Sequence, residues 1–331
     1  MKSIVNIGKL LVSIACVGAL TTSCNSDFLD RPPLGTLDEV TYLSTKDAGY
    51  KLLVNCYQPL QDSWNYQDMK FVLGDQLSDD CSKGGSDAGD RVRITEIARG
   101  TPMATNQVLS DLWTHRYQTA ISACNVFLSL ITPESELIDD AGGLVSTETK
   151  QRWIAEAQFM RAFYYYLLTS FFGDVPFYTE HVADVETQQK IGRLGRMSAV
   201  ETREYLIKEL SAIVPLMDQV RSSEVASNRT GAATGWMLIA KMAMWNKKWD
   251  TAIDAISKLE EIYGDLGQYP LEDVMFRNKN TPESIFEIQH SYVAGGLNYT
   301  SNLASICMPI TRRSGTCEYD GVEIPELGDK S

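Results

Sequence analysis

Histidine is almost missing from this chain: His115, His181 and His290 are the only three in 331 residues, and none is spaced with another potential ligand. No H-E-x-x-H, G-x-x-x-x-G-K-[ST] or G-x-G-x-x-G occurs. The helix of a zinc protease and the glycine cradles for phosphate or dinucleotide are therefore excluded. Positive charge is also short, with 30 Lys and Arg against 43 Asp and Glu and a formal net charge of −13. Binding to nucleic acid or anionic lipid rests on cations neutralising phosphates, so this balance argues against both partners and suits a neutral ligand. Of the seven cysteines no two form a C-x-x-C pair, so no zinc site is indicated. Asp68, Asp75, Asp79 and Asp80 lack EF-hand spacing. No metal and no cofactor is expected.

An apolar run of bilayer length, roughly 20 residues, is absent from the N-terminus as well. Leu10 to Leu20 (LLVSIACVGAL) is shorter, follows Lys2 and Lys9, and ends in Thr21-Thr22-Ser23-Cys24. A basic start, a short apolar stretch and small residues before a cysteine make an export signal over residues 1–23, with Cys24 exposed by cleavage for lipid attachment. The leucine usual three places before such a cysteine is Thr21 here, with Leu20 one place further back. A secreted chain cleaved nearby without lipidation is the alternative. Cleavage removes Lys2 and Lys9 and no acid, taking the charge from −13 to −15. It leaves Cys56, Cys81, Cys124, Cys307 and Cys317, an odd number that does not make a full disulfide framework. Export permits disulfides. Cys307 and Cys317 flank a loop and could pair, whereas Cys124 lies in a helical pattern and reads as a small core residue.

What is present is helical periodicity, from residue 44 to 264. A first helix is expected from a Ser44 or Thr45 N-cap, with Tyr50, Leu53, Val54 and Tyr57 on one face and Pro59 closing or bending it. Residues 74–106 are rich in Gly, Asp and Ser without sustained periodicity, a long loop of the kind that is often functional. A helix over about 107–131 carries Leu109, Leu112, Trp113, Tyr117, Ala120, Ile121, Cys124 and Leu128 on one face. The next, about 148–172, has one stripe of Trp153, Ala157, Met160, Tyr164, Leu168 and Phe171 and a second of Phe159, Phe163 and Tyr166. A helix apolar on two faces must be packed between neighbours. Gly173 is placed to cap it and Pro176 to prevent its continuation. Ser198-x-x-Glu201 reads as a capping box opening a helix over 199–214. Helices 231–245 and 249–263, turning at Asn246-Lys247-Lys248, have the alanine and aromatic placement of a tetratricopeptide hairpin. A short strand is expected at Glu283–Gln289. The fold class is predominantly all-α: tetratricopeptide-like stacked helix hairpins with long irregular loops and a short strand region near the C-terminus.

Four segments together carry a family resemblance: Cys24 to Pro33 (CNSDFLDRPP), the core LWTHRYQTAISACNVFL, the run AEAQFMRAFYYYLLTSFFGDVPF, and AATGWMLIAKMAMWNKKWDTAIDAI. They resemble SusD/RagB-type nutrient-binding lipoproteins of the Bacteroidetes outer membrane, and the resemblance runs over residues 24–331 as one helical-repeat domain. Members are considerably longer, which implies that a C-terminal portion contributing to the ligand face is missing here. The resemblance implies a lipid-anchored, surface-exposed outer-membrane protein that captures oligosaccharide, or in some relatives peptide, and delivers it to a SusC-like TonB-dependent transporter. A helical-repeat envelope scaffold binding other proteins is the rival reading.

Neutral sugars present C–H faces that stack on Trp or Tyr and hydroxyls that bond to Asp, Asn and Arg. Trp64-Asn65-Tyr66 follows the first helix and Asp79-Asp80 opens the long loop. In the family this loop region and the stretch beyond the last helix pair border the ligand pocket. The acid after Gly74-x-x-x-Ser78, Asp79 here, resembles a ligand-contacting acid of starch-binding members. Tyr292, Asn298 and Tyr299 are candidates by position. Trp64 reads either as a partly buried cap on the first helix or as a stacking surface. Trp113, Trp153 and Trp236 sit on apolar stripes and read as core, and Arg161 as a structural arginine. Glycosidases use two carboxylates across a sugar. Adjacent acids such as Asp79-Asp80 and Asp139-Asp140 in polar loops read instead as solvated, so the chain is not expected to be an enzyme.

Overall fold

The computed structural model describes residues 39–60, 72–79, 89, 91–218, 229–271, 280–288, 317–319 and 322–324. Two units are distinguished, residues 1–45 and 46–331. In the first, helix α1 (Glu39–Leu43) closes in a turn where the Thr45 amide and hydroxyl both donate to Tyr42 O. Thr45 is thus spent on closing α1, and the first long helix starts later than its sequence suggests, at Ala48, after Asp47 with φ of 62°.

That helix, α2 (Ala48–Tyr57), runs into a 3-10 turn containing Pro59. Its inward face is Gly49, Leu53 and Cys56; Val54, expected inside, is 45% exposed. Gly49 is required by proximity, since a Cβ there would lie 2.7 Å from Leu137 Cδ1. Within the stretch read as loop, α3 (Val92–Ala98) forms, its Ile94 and Ile97 buried against Val72. Two turns with two inward residues are too short to register as a period.

The helix expected over 107–131 is continuous but changes register. α4 (Gln107–Leu112) passes into π-helix over Trp113–Ile121 and returns as α5 (Ser122–Leu130). The wider π turns bring Arg116, Tyr117, Ala120 and Ile121 all inward. Arg116 is fully buried, its Nη1 donating to Pro59 O at 2.7 Å.

The centre is α6 (Thr147–Phe172), N-capped by Ser146 and ended by Gly173 at φ 68°. Ala155, Ala157 and Ala162 are fully buried, allowing close approach on more than one side. It packs against α2, α5 and the π segment, and against α8 (Ala199–Ile213), which opens with the expected capping box at Ser198 and Glu201. Between α6 and α8, strands β1 (Val175–Pro176) and β2 (Arg196–Met197) pair antiparallel around α7 (Val185–Gly192). α8 packs on α9 (Ala232–Trp245) and α9 on α10 (Trp249–Tyr263), so neighbouring helices stack in chain order, as in a tetratricopeptide array. Residues 283–288 form no strand: Ser284 O accepts from Tyr263 Oη, and the Glu287 carboxylate takes the Asn280 amide. Strands near the C-terminus are β3 (Cys317–Tyr319) and β4 (Val322–Ile324), paired antiparallel.

Buried polar groups cross-link the stack. Arg161 joins three helices, donating to Asn125 on α5 at 3.0 Å and to Glu209 on α8 at 2.5 Å. Arg203 donates to Thr169 O at 2.9 Å and lies over the Trp245 ring. Glu156 on α6, fully buried, accepts from Tyr57 Oη at 2.7 Å and from Nε and Nη2 of Arg229. Tyr57 Oη also meets Thr230 Oγ1 at 2.8 Å. Burial pushes the Glu156 carboxyl above its ordinary range, against the pull of Arg229 and Tyr57 in the other direction.

Two predictions follow from this packing. Arg229→Met leaves the Glu156 carboxylate buried with Tyr57 as partner, and loss of one member of a buried pair costs about 3–5 kcal/mol. A raised folded-state pKa means that the stabilisation from protonated Glu156 is full below the unfolded value and is lost as pH rises through the folded one. Urea denaturation from pH 4 to 8 should show this fall, steeper in Arg229→Met and gone in Glu156→Gln. Separately, a Cβ at Gly235 would collide with the Val214 side chain, while one at Gly192 meets nothing within 4 Å. Overpacking costs about 1–3 kcal/mol and Gly→Ala in a helix gains about 0.5–1 kcal/mol. Gly235→Ala should therefore destabilise in the same assay, and Gly192→Ala should not.

Candidate functional site

Of the residues that the sequence singles out for ligand contact, Asp79 is the one the structure describes; Trp64, Asn65, Tyr66, Asp80, Tyr292, Asn298 and Tyr299 lie outside the described residues, as does Cys24. Asp79 is exposed and follows a 3-10 turn, Asp75–Leu77, in which Ser78 returns both its amide and its hydroxyl to Asp75 O, at 3.1 and 2.7 Å. The turn rests on α3, and Val72, just before it, packs on Ile94 and Ile97. Behind α3 stands Asn106, 3% exposed. Its Oδ1 caps α4 through Val108 N at 3.0 Å, while its Nδ2 donates to Arg93 O at 2.9 Å and to Glu96 at 2.7 Å. One side chain thus ties the helix under the Asp79 turn to the start of α4. The residue pattern does not single out Asn106, although Asn just before a helical stretch is a legible N-cap signal.

A second feature is a groove of about 520 Å³ between α6, α9 and residues 285–286, lined by Phe159, Phe163, Tyr166, Phe171, Met237 and Phe286 among others. Phe159 and Phe163 stack at 6.2 Å, and Phe286 meets Phe159 edge-on at 6.5 Å. These residues include the second aromatic stripe of α6, whose apolar face called for a neighbour. Ser170 and Thr234 give their hydroxyls to backbone, to Tyr166 O and Gly231 O, while Lys241 is exposed. The lining is predominantly aromatic and aliphatic and suits apolar contact.

Buried titratable groups serve packing. Burial pushes the Tyr178 phenol up to about 12 and raises Tyr117, Tyr164 and Tyr165 as well. Tyr164 and Tyr165 donate to backbone carbonyls, of Cys56 at 2.6 Å and Tyr178 at 2.9 Å. Glu156 is sealed from solvent. No group of three His, Cys, Asp or Glu able to hold a metal occurs among the described residues, and no described helix is long and apolar enough to cross a membrane.

Comparison with known proteins places this arrangement. Residues 27–236 match the model of a family named SusD-like and described as starch-binding and associating with the outer membrane. A SusD-like protein of Formosa agariphila is 23% identical over 263 residues, 76% of this chain and 46% of the relative. Surface glycan-binding protein A of Bacteroides fluxus superposes with a TM-score of 0.62 at 22% identity, over 83% of this chain and 57% of that one. The protein of the same name from Bacteroides thetaiotaomicron, solved in complex with laminarihexaose, gives 0.58 at 21%, over 74% and 50%. The chain spans about half the length of the relatives it matches.

The Asn106 bridge generates a test. Asn106→Ala removes a helix cap worth about 1–2 kcal/mol and strips Glu96 of its partner. The variant should unfold at lower urea, and limited proteolysis should cut faster around residues 75–79, while Asp79→Ala, altering an exposed side chain, should leave the urea midpoint where it is.

Proposed function

The chain belongs to the SusD-like family, and on that premise we propose that it is a surface lipoprotein that captures oligosaccharide and delivers it to a SusC-like TonB-dependent transporter in the outer membrane. The observation that carries this reading is the family match over 210 residues, from 27 to 236, with its description as starch-binding and outer-membrane-associated. The laminarihexaose complex of a structural relative supports a glycan as the ligand class. Cys24 would anchor the chain by lipid once residues 1–23 are removed.

Capture needs no bond broken. A neutral oligosaccharide lies with its C–H faces on aromatic rings and its hydroxyls on acids and amides. Asp79 is the acid for this role, held out to solvent on a turn that the α3 cluster keeps in place. Trp64 and Tyr66, with Tyr292 and Tyr299, would supply stacking surfaces, and Asn65, Asp80 and Asn298 further hydrogen bonds. The net charge of −15 after cleavage leaves such a ligand unopposed and repels anionic polymers.

Affinity electrophoresis and calorimetry with soluble starch and laminarihexaose test the binding. One of the two should bind, and Asp79→Ala should weaken it about tenfold, the worth of a hydrogen bond to a charged group. Purification from membranes should bring down a large β-barrel transporter in stoichiometric amount. Recovery of other envelope proteins without a barrel, together with no binding of either glycan, would sink this reading in favour of a helical scaffold.

A further inference from the structure

Two thiols in the helical core belong to neither feature described above. Cys56 on α2 and Cys124 on α5 are both fully buried, on helices that pack against each other. Cys56 Sγ lies 3.8 Å from the carbonyl of Ala123, the residue beside Cys124. A contact to Leu52 O at 3.6 Å orients the Cys56 side chain, and Tyr164 reaches across from α6 to the Cys56 carbonyl at 2.6 Å. Both are free thiols in the structure. The Cys56 sulfur thus reaches across the interface to the backbone next to Cys124, which brings the two cysteines into the neighbourhood a disulfide needs, and an exported chain passes through a compartment where one forms.

We propose that Cys56 and Cys124 are joined by a disulfide in the exported protein, tying α2 to α5. The proposal rests on the export reading of residues 1–23. While the chain is still open, one thiolate attacks the disulfide of an oxidised dithiol carrier protein of the envelope, giving a mixed disulfide. The second thiolate then attacks the chain's sulfur in that mixed disulfide. The S–S bond of the carrier is broken and that of the chain formed, and two electrons and two protons pass to the carrier, which leaves as a dithiol. Order matters, because the finished core shields both sulfurs. The neighbouring Cys124 and burial push the Cys56 thiol well up, which disfavours the thiolate that exchange needs. A bond made before closure is then protected from reductants, and the pair fits the profile of a permanent link and not of a switch.

The test uses the full chain isolated from the cell envelope, unfolded at lysis in urea containing N-ethylmaleimide so that buried free thiols are blocked, and then diluted and digested with trypsin without reductant. The sequence places Cys56 in the peptide Leu52–Lys70 and Cys124 in Tyr117–Lys150. The expected product is these two peptides as one species, lighter than their sum by two hydrogens and separated by reductant. A copy lacking residues 1–23, held in the cytoplasm, should give both as maleimide adducts. Recovery of both adducts from chain that has lost residues 1–23, or linkage of either cysteine to a third, overturns the proposal. Envelope chain that retains residues 1–23 removes the export premise instead, and the same digest reports which has happened.

Discussion

A carboxylate sealed in a helical core must be met by partners, and at Glu156 those partners come from widely separated parts of the chain. Tyr57 closes α2, Glu156 sits in the middle of α6, and Arg229 stands just before α9. An unpaired charge at full burial would cost more than most single contacts return, so wherever Glu156 is ionised, α2 and the approach to α9 are held against α6. Arg152 and Asp218, 3.1 Å apart, repeat the connection nearer the surface, where it contributes less. The Arg161 and Arg203 bonds extend the pattern to α5 and α8. Apolar burial supplies most of the stability of such a stack; these polar ties fix which helix lies against which.

The separation between scaffold and recognition follows from this. The cross-links lie inside the helices, while Asp79 is carried on a short turn resting on a small cluster of its own around Val72, Ile94 and Ile97. A turn of that kind can change its residues without disturbing the Glu156 centre. Relatives about one-fifth identical in sequence share the fold.

Legibility in the sequence tracks length and period. α6, α8, α9 and α10 could be read because each keeps its apolar residues in phase over at least fourteen residues and carries a recognisable start or stop, as Ser198 with Glu201 and Gly173 do. α3 and α7, of seven and eight residues, are too short for a phase to build up. The start of α2 was misplaced because Ser44 and Thr45 look like caps, while Asp47 in the left-handed region provides the break. Val54 lay on the expected face, yet a shift in the inward stripe put Cys56 inside instead. The π register of Trp113–Ile121 leaves no mark in composition, since the same residues suit an α-helix; it is fixed by tertiary packing around Arg116. At the candidate site the residue types were legible but not their arrangement, because loops lack a period from which to infer neighbours. The groove was half legible: the second stripe of α6 announced an apolar face, but not that Phe286 would lie across it.

The Glu156 cluster also imposes an order in time. The chain is made and released N-terminus first. Tyr57 and Glu156 emerge 99 residues apart, and Arg229 follows Glu156 by another 73. Until that last stretch arrives, the carboxylate has no cation from its final partner, and α6 favours staying hydrated on that side over closing. The latch of the array is delivered late, and until then the earlier helices lack the cation that offsets burial of an ionised Glu156.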